Sequence, residues 1–139
     1  MKKMRVAIYQ FQNALGDCPS CNQATCQTVA MNAVACQEKA KELFGEDCEC
    51  FNYIDRNESI LTGSDIHSVK NRPQFLKLLD DVKEKKIDAV IMTYMGILSI
   101  DMEFLLNFYC YLKENNVKLA TVREGLGITD LMEQALQYR

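Results

Sequence analysis

The sequence predicts an α/β fold with three layers, in which a mostly parallel four-stranded sheet is flanked by helices. Two observations lead to this prediction. Four short apolar runs have the length and composition of buried strands, and helical patterns separate them. Strands that alternate with helices are typical of a parallel sheet covered on both faces. The strand-like runs are residues 5–9, 50–54, 89–92 and 118–122.

The first helix is indicated by an apolar stripe that follows the first strand. Apolar side chains recur there at spacings of four, three, four and three residues: Val29, Ala33, Cys36, Ala40 and Leu43. This periodicity places all of them on one face of a helix. Gly45 comes next and suits a C-cap, where glycine accepts a left-handed backbone. We therefore expect the helix to end just before Gly45.

The second helix is predicted to begin at Pro73. Proline is favoured at the first helical position, and it pushes the residue before it, Arg72, out of the helical conformation. The buried face of this helix is expected to consist of four apolar side chains: Phe75, Leu76, Leu79 and Val82.

Two further helices follow the third and fourth strands. Ser99 is a candidate N-cap for the third helix, with Asp101 near the positive end of the helix dipole. Its apolar face is predicted from four side chains at helical spacing: Leu105, Phe108, Tyr109 and Leu112. A short last helix is expected over residues 129–137.

Length and charge narrow the classes of function. With 139 residues, 48% of them hydrophobic, the chain has the size of one domain, and we expect a single domain over residues 1–139. The formal net charge of −3 gives no basic footprint for holding nucleic acid unaided. No segment is apolar for long enough to span a membrane. A cytoplasmic location without membrane contact is the expectation.

The cysteines offer one candidate site. The run CPSCNQATC holds Cys18, Cys21 and Cys26, three of the seven cysteines of the chain. They suit a zinc ion, with Cys48 or Cys50 as a fourth ligand. They also suit a redox dithiol, or they are unreactive loop thiols. These alternatives stay open on the sequence alone.

A second candidate site comes from a family resemblance. The segment NRPQFLKLL followed by KIDAVIM, within residues 69–92, resembles the RP-x-F-x-x-LL and K-x-D-x-V pattern of serine site-specific recombinases, the resolvase/invertase family. The order RVAIY, helix, YID, SDIHSVKNRPQFLKLLDDVKEKKIDAVIM, helix and NNVKLATVREGL is similar to the catalytic domain of that family over nearly the whole chain. The resemblance implies a resolvase-like four-stranded sheet and a homo-oligomer, a dimer or a tetramer.

The resemblance also implies where catalytic residues would lie. Family members use a serine that attacks a DNA phosphodiester, and arginines that neutralise the charge developing on the phosphoryl oxygens. Phe11 occupies the arginine position at the end of the first strand, and Asn13 occupies the nucleophile position. The arginine before the proline of the second helix is retained as Arg72.

Three more family positions are changed after the third strand. Gly96 stands where the family has aspartate or serine, and Ile97 and Ile100 stand where it has arginines. Arg72 is then the only retained family position. The replacements at Phe11, Ile97 and Ile100 predict an apolar pocket in place of a cationic one.

These observations lead to one leading hypothesis and two alternatives. The leading hypothesis is a recombinase-like domain without catalysis, which associates with itself or with an active recombinase in DNA recombination or mobile elements. It binds DNA weakly alone, needs no cofactor and has no C-terminal DNA-binding domain. The first alternative is a metal- or thiol-redox-responsive protein that uses the loop cysteines. The second is a DNA-binding recombinase subunit that depends on a partner for catalysis and contacts DNA through Arg72.

Overall fold

Four strands form one parallel sheet in the parts of the chain that the computed structural model describes, which are residues 3–13, 27–57, 72–98 and 101–138. Their order across the sheet is β2-β1-β3-β4, and each neighbouring pair runs parallel. The bounds are β1 Arg5–Asn13, β2 Glu49–Asn57, β3 Ala89–Met92 and β4 Lys118–Thr121. The predicted α/β fold is confirmed, with every pairing parallel.

Helices cover both faces of this sheet. Their bounds are α1 Gln27–Phe44, α2 Pro73–Lys83, α3 Met102–Glu114 and α4 Gly127–Gln137, and a 3-10 turn at Met95–Ile97 follows β3. One core cluster joins the sheet to α2, α3 and α4, and a second cluster joins it to α1 through Cys36 and Ala40. The described residues include no helix with the length and apolar character needed to cross a membrane.

The first two strands are longer than the apolar runs that predicted them. β1 and β2 pair in continuous register from Arg5 opposite Glu49 to Asn13 opposite Asn57. The extension carries polar residues that are nonetheless buried, since Gln10 is 4% exposed and Asp55 is 2% exposed. An apolar pattern therefore ends before the backbone pairing does.

Two details of the helices differ from the sequence expectations. The N-cap of α3 is Asp101, whose carboxylate accepts a hydrogen bond from Glu103 N at 3.0 Å, and not Ser99, which lies outside the described residues. On α2 the buried residues are Phe75, Leu78 and Val82, whereas Leu76 is 41% exposed. The α2 stripe is therefore rotated relative to the expectation.

Candidate functional site

Arg72 lies at the centre of the region where the family resemblance places the catalytic site. It is the N-cap residue of α2, and it is 1% exposed. Its guanidinium carbon lies 4.1 Å from the centroid of the Phe11 ring on β1, a cation–π contact. Its Nη1 donates a hydrogen bond to the Ile97 carbonyl at 3.2 Å. Arg72 is thus enclosed by β1 and by the 3-10 turn after β3.

Asp55 provides the anionic part of the same region. Its Oδ1 accepts a hydrogen bond from Gln74 N at 2.8 Å, and its Oδ2 accepts one from Phe75 N at 2.9 Å. The carboxylate thereby satisfies two backbone groups that the first turn of α2 leaves without an intrahelical partner. A residue of strand β2 caps the helix, and the negative charge lies at the positive end of the helix dipole.

Tyr9 connects the two charged residues. Its hydroxyl donates to Asp55 Oδ2 at 3.0 Å and accepts from Arg72 Nη1 at 3.5 Å. Burial raises the pKa of Tyr9 well above its usual range, the charge of Arg72 opposes this, and Asp55 adds to it. The hydroxyl therefore stays protonated and remains a donor. We name these three buried residues the Arg72–Tyr9–Asp55 cluster.

A second arginine–aromatic pair lies beyond β3 and β4. The guanidinium carbon of Arg123 is 4.8 Å from the centroid of the Tyr94 ring, and Arg123 N donates to Thr93 O at 3.2 Å. A Cβ on Gly96 would lie only 2.7 Å from Cε2 of Tyr94. The tyrosine ring thus takes the space that a side chain at position 96 would need.

The contacts of Arg72 can be compared with those that phosphoryl-transfer chemistry requires of an arginine. A catalytic arginine for phosphoryl transfer must present its N–H groups to phosphoryl oxygens. The Arg72 guanidinium instead contacts an aromatic face, a backbone carbonyl and a phenolic oxygen, and it is shielded from solvent. In this conformation Arg72 supports the junction of β1, β2 and α2.

The structure brings only some of the sequence-derived site residues together. Arg72 contacts both Phe11 and the carbonyl of Ile97, and Gly96 precedes Ile97 in the turn after β3. At Phe11 the expected apolar pocket is a cation–aromatic stack instead. Four of the remaining candidates lie outside the described residues: Ile100, Cys18, Cys21 and Cys26. Asn13 is described as the last residue of β1, but its side chain is not.

The described residues contain no group of side chains suited to a metal ion. Across residues 3–13, 27–57, 72–98 and 101–138, no three histidine, cysteine, aspartate or glutamate side chains are grouped so as to hold a metal ion. Cys48 and Cys50 lie at the start of β2. A zinc ion bound by the CPSCNQATC run stays a prediction.

Sequence reasoning did not identify four residues of this region. Tyr9 ends an apolar run that was predicted to be a buried strand, and Asp55 was noted in the YID segment but not as a site residue. Tyr94 and Arg123 gave no motif, because the two are neighbours only after β3 and β4 pair. The one signal for Asp55 was a carboxylate directly after the predicted strand-like run of residues 50–54.

Comparisons with known proteins agree with the fold. The family model for the resolvase N-terminal domain matches residues 23–138. The match begins ten residues after Asn13 and so excludes the strand that carries Phe11 and Asn13. No curated protein matches the chain.

Solved structures are similar over most of the chain. The N-terminal catalytic domain of TP901-1 integrase has a TM-score of 0.62 and 16% identity, covering 96% of this chain and 99% of its own. A resolvase family site-specific recombinase from Streptococcus pneumoniae has a TM-score of 0.56 and 17% identity, covering 98% of this chain and 91% of its own. The C-terminal catalytic domain of ISC1926 TnpA, an IS607-like serine recombinase, has a TM-score of 0.56 and 15% identity, covering 86% of this chain and 70% of its own.

These structural likenesses show a shared fold at low identity. The family model covers most of the chain and includes Arg72 and the segment that carried the sequence resemblance. The chain therefore belongs to the resolvase family and has the fold of its N-terminal domain.

Proposed function

We propose that this chain is a resolvase-family domain that does not catalyse strand exchange, and that it associates with itself or with an active recombinase in DNA recombination. The burial of Arg72 is the observation that carries the proposal. The one arginine retained from the family pattern is 1% exposed and is engaged by Phe11, Tyr9 and Ile97.

The replaced positions support the same proposal. Asn13 has an amide in place of the hydroxyl that forms a phosphoserine link. Removing a single donor that stabilises transition-state charge typically costs roughly 2.7–4 kcal/mol of activation free energy. Here Phe11, Ile97 and Ile100 replace three arginines. A charge-stabilising pocket of the family type is therefore not available to this chain.

The proposed role in DNA recombination is supported by the names of the proteins with similar structures. The similar structures are named as an integrase, a site-specific recombinase and an IS607-like serine recombinase. Similarity of fold to such recombinases supports pairing of this chain with a second domain of the same fold. With a net charge of −3, the chain needs such a partner to be held on DNA.

The loss of catalysis is tested by a search for a covalent protein–DNA adduct. The purified chain is incubated with plasmid and fragmented genomic DNA, quenched with detergent and digested with nuclease, and its serines are analysed by mass spectrometry. A serine recombinase with its own recombination site provides the positive control. We expect no nucleotide on any serine, and a phosphoserine–DNA link at any position would overturn the proposal.

The association is tested separately by light scattering coupled to size exclusion. The chain is run alone and mixed with an active serine recombinase encoded in the same genome. We expect a dimer or larger assembly, or a mixed complex that changes the rate of recombination. A monomer that neither binds the recombinase nor alters its rate would contradict the association.

A further inference from the structure

The Arg123–Tyr94 pair lies at the carboxyl ends of two neighbouring strands. β3 ends at Met92 and β4 ends at Thr121, and the two strands run parallel. Just beyond them, the backbone N of Arg123 donates to Thr93 O at 3.2 Å, and the Arg123 guanidinium carbon lies 4.8 Å from the centroid of the Tyr94 ring. Ligands of open parallel sheets bind outside the carboxyl ends of the strands. The pair therefore lies at the edge of the sheet where this architecture receives a ligand.

The turn that carries Arg123 is held in shape by its own hydrogen bonds. Gly125 N donates to Thr121 O at 2.7 Å, and Thr121 N donates to Gly125 O at 3.2 Å. Glu124 N donates to the Thr121 hydroxyl at 2.9 Å, and that hydroxyl donates to the Glu124 carboxylate at 2.7 Å. The acidic side chain next to Arg123 is therefore engaged by Thr121, and the turn presents Arg123 from a fixed backbone.

The position of the Tyr94 ring depends on glycine at position 96. A Cβ on Gly96 would lie 2.7 Å from Cε2 and 3.0 Å from Cδ2 of Tyr94. The family pattern has aspartate or serine at this position, and either side chain would displace the ring from its place beside Arg123. Glycine at position 96 and the contact between Tyr94 and Arg123 therefore belong to one arrangement.

This pair is open to solvent, in contrast to Arg72. Tyr94 is 41% exposed, and Arg123 is exposed as well. Arg72 is buried, and Arg5 is held by Asp88 in an ion pair at 3.1 Å. Among the arginine side chains that the structure describes, Arg123 is thus the one that a large ligand reaches without a rearrangement of the fold.

We propose that Arg123, stacked on Tyr94, binds a phosphodiester group of a DNA backbone. The aromatic ring takes one face of the guanidinium, whereas the N–H donors lie in the guanidinium plane, so the stack does not use them. This planar fork matches two oxygens of one phosphate in a charge-assisted, bidentate contact. Tyr94 is a positioning residue, because a guanidinium that is held in advance loses less entropy when the phosphate binds.

The choice of DNA as the source of the phosphate rests on the proposed role in DNA recombination, and the contact goes beyond that role by assigning a DNA-binding residue. Contacts to phosphates position a protein on a duplex without reading its sequence. A single contact on a chain with a net charge of −3 holds DNA weakly and is sensitive to salt. We therefore expect the contact to be measurable on the isolated chain at low salt and to supplement the grip of a partner at higher salt.

The experiment measures the affinity of the purified chain for a short fluorescent DNA duplex by anisotropy, over a roughly tenfold range of KCl concentration. The logarithm of the affinity falls with the logarithm of the salt concentration, with a slope of about 0.9 for each phosphate contact. We expect Arg123→Gln to reduce this slope by about 1 and to lower the affinity at low salt on the order of tenfold. Lys118→Gln is the matched control, because it removes the same charge from an exposed position at the opposite end of β4, and it should keep the parental slope.

Two variants test the positioning role of Tyr94. Tyr94→Phe keeps the ring and should bind DNA as the parent chain does. Tyr94→Leu keeps the charge of Arg123 but removes the ring, so it should lower the affinity roughly threefold while the slope stays the same. If Tyr94→Leu binds as tightly as Tyr94→Phe, the ring does not position the guanidinium.

A second measurement on the unmutated chain does not depend on the folding of any variant. Arginines are modified with phenylglyoxal in the presence and absence of the duplex and are followed by mass spectrometry. We expect DNA to protect Arg123 and to leave the modification of Arg5, at the amino end of β1, unchanged.

Three results would each overturn the proposal: no DNA binding by the parent chain at low salt, equal slopes in the parent and Arg123→Gln, or no protection of Arg123. Inorganic phosphate is compared with KCl at equal ionic strength, and we expect both to displace the duplex equally. A stronger displacement by phosphate would assign the site to the free ion and overturn the assignment to DNA. The assay uses neither a recombinase nor a catalytic step, so its failure is distinguishable from a failure of the proposed function.

Discussion

At the residue scale, the ring of Phe11 lies against the guanidinium of Arg72, with 4.1 Å between the guanidinium carbon and the ring centroid. The aromatic ring satisfies the cation without an anion, and a desolvated cation–π contact contributes about 2 kcal/mol. The Phe11 ring thus stabilises a guanidinium that is almost fully removed from solvent.

Phe11→Ala is expected to lower the free energy of unfolding by about 2–4 kcal/mol, because it removes the stacked ring and leaves a cavity beside a buried cation. Urea denaturation measures the change. Phe11→Leu keeps most of the apolar volume and loses only the aromatic face, so it should cost less than Phe11→Ala but more than zero. A Phe11→Leu variant as stable as the parent chain would show that the stack contributes nothing.

At the scale of the element, the first turn of α2 is hydrogen-bonded to Asp55 of strand β2. The carboxylate accepts from Gln74 N and Phe75 N, which are 19 and 20 residues away in the chain. Arg72, the residue at the N-cap position, offers no side-chain cap of its own. The start of this helix therefore depends on the sheet being formed.

Asp55→Ala is expected to destabilise the fold by about 2–4 kcal/mol, since it removes a helix cap and leaves buried donors without an acceptor. Tyr9→Phe serves as the matched variant, because it removes only the tyrosine donor to the same carboxylate and should cost about 1 kcal/mol. Chemical denaturation monitored by circular dichroism compares the two. Equal losses in both variants would mean that the cap of α2 contributes nothing beyond the tyrosine bond.

At this scale the sequence predicts the features of a helix that depend on residues close together in the chain, such as its apolar stripe and its C-cap. The predicted stripe of α3 is confirmed at all four positions, since Leu105, Phe108, Tyr109 and Leu112 are buried. Gly45 adopts the positive φ of +111° expected after a helix. The cap by Asp55 was not predictable, because capping rules examine residues next to the helix. Leu76 was placed in the core and is 41% exposed, whereas Leu78 is buried. The apolar pattern contains both leucines, and the packing of the helix on the sheet decides which one is buried.

The candidate site shows the same division. Arg72, Phe11 and Ile97 were assigned to one region through a family pattern, and the structure places them in contact. That the retained arginine is buried could not be predicted, since burial depends on how β1 and the turn after β3 close around it. The residue type at position 72 shows that a guanidinium is present, and the surrounding contacts determine whether a ligand can reach it.

At the scale of the whole molecule, the sheet belongs to two cores at once. Leu78 lies in the cluster beneath α2, α3 and α4, and Ile8 lies in the cluster beneath α1, and both are fully buried. Alternate residues of β1 serve opposite faces, so that Tyr9 belongs to the first cluster and Ile8 to the second. If the helices on one side of the sheet separate from it, they expose one face of β1. The helices on the other side pack on the opposite face of the same strand, so their packing is weakened as well.

We therefore expect a single cooperative unfolding transition in which both layers take part. Leu78→Ala and Ile8→Ala should each lower the free energy of unfolding by about 2–5 kcal/mol and the melting temperature by about 10 °C. The alkylation of Cys36 reports on the α1 layer, and near-ultraviolet circular dichroism of the tyrosines reports mainly on the other. In each variant the two probes should shift together, whereas Leu131→Ala, at a side chain that is 49% exposed, should change neither. A variant that moves one probe and leaves the other at the parental temperature would show that the layers unfold independently.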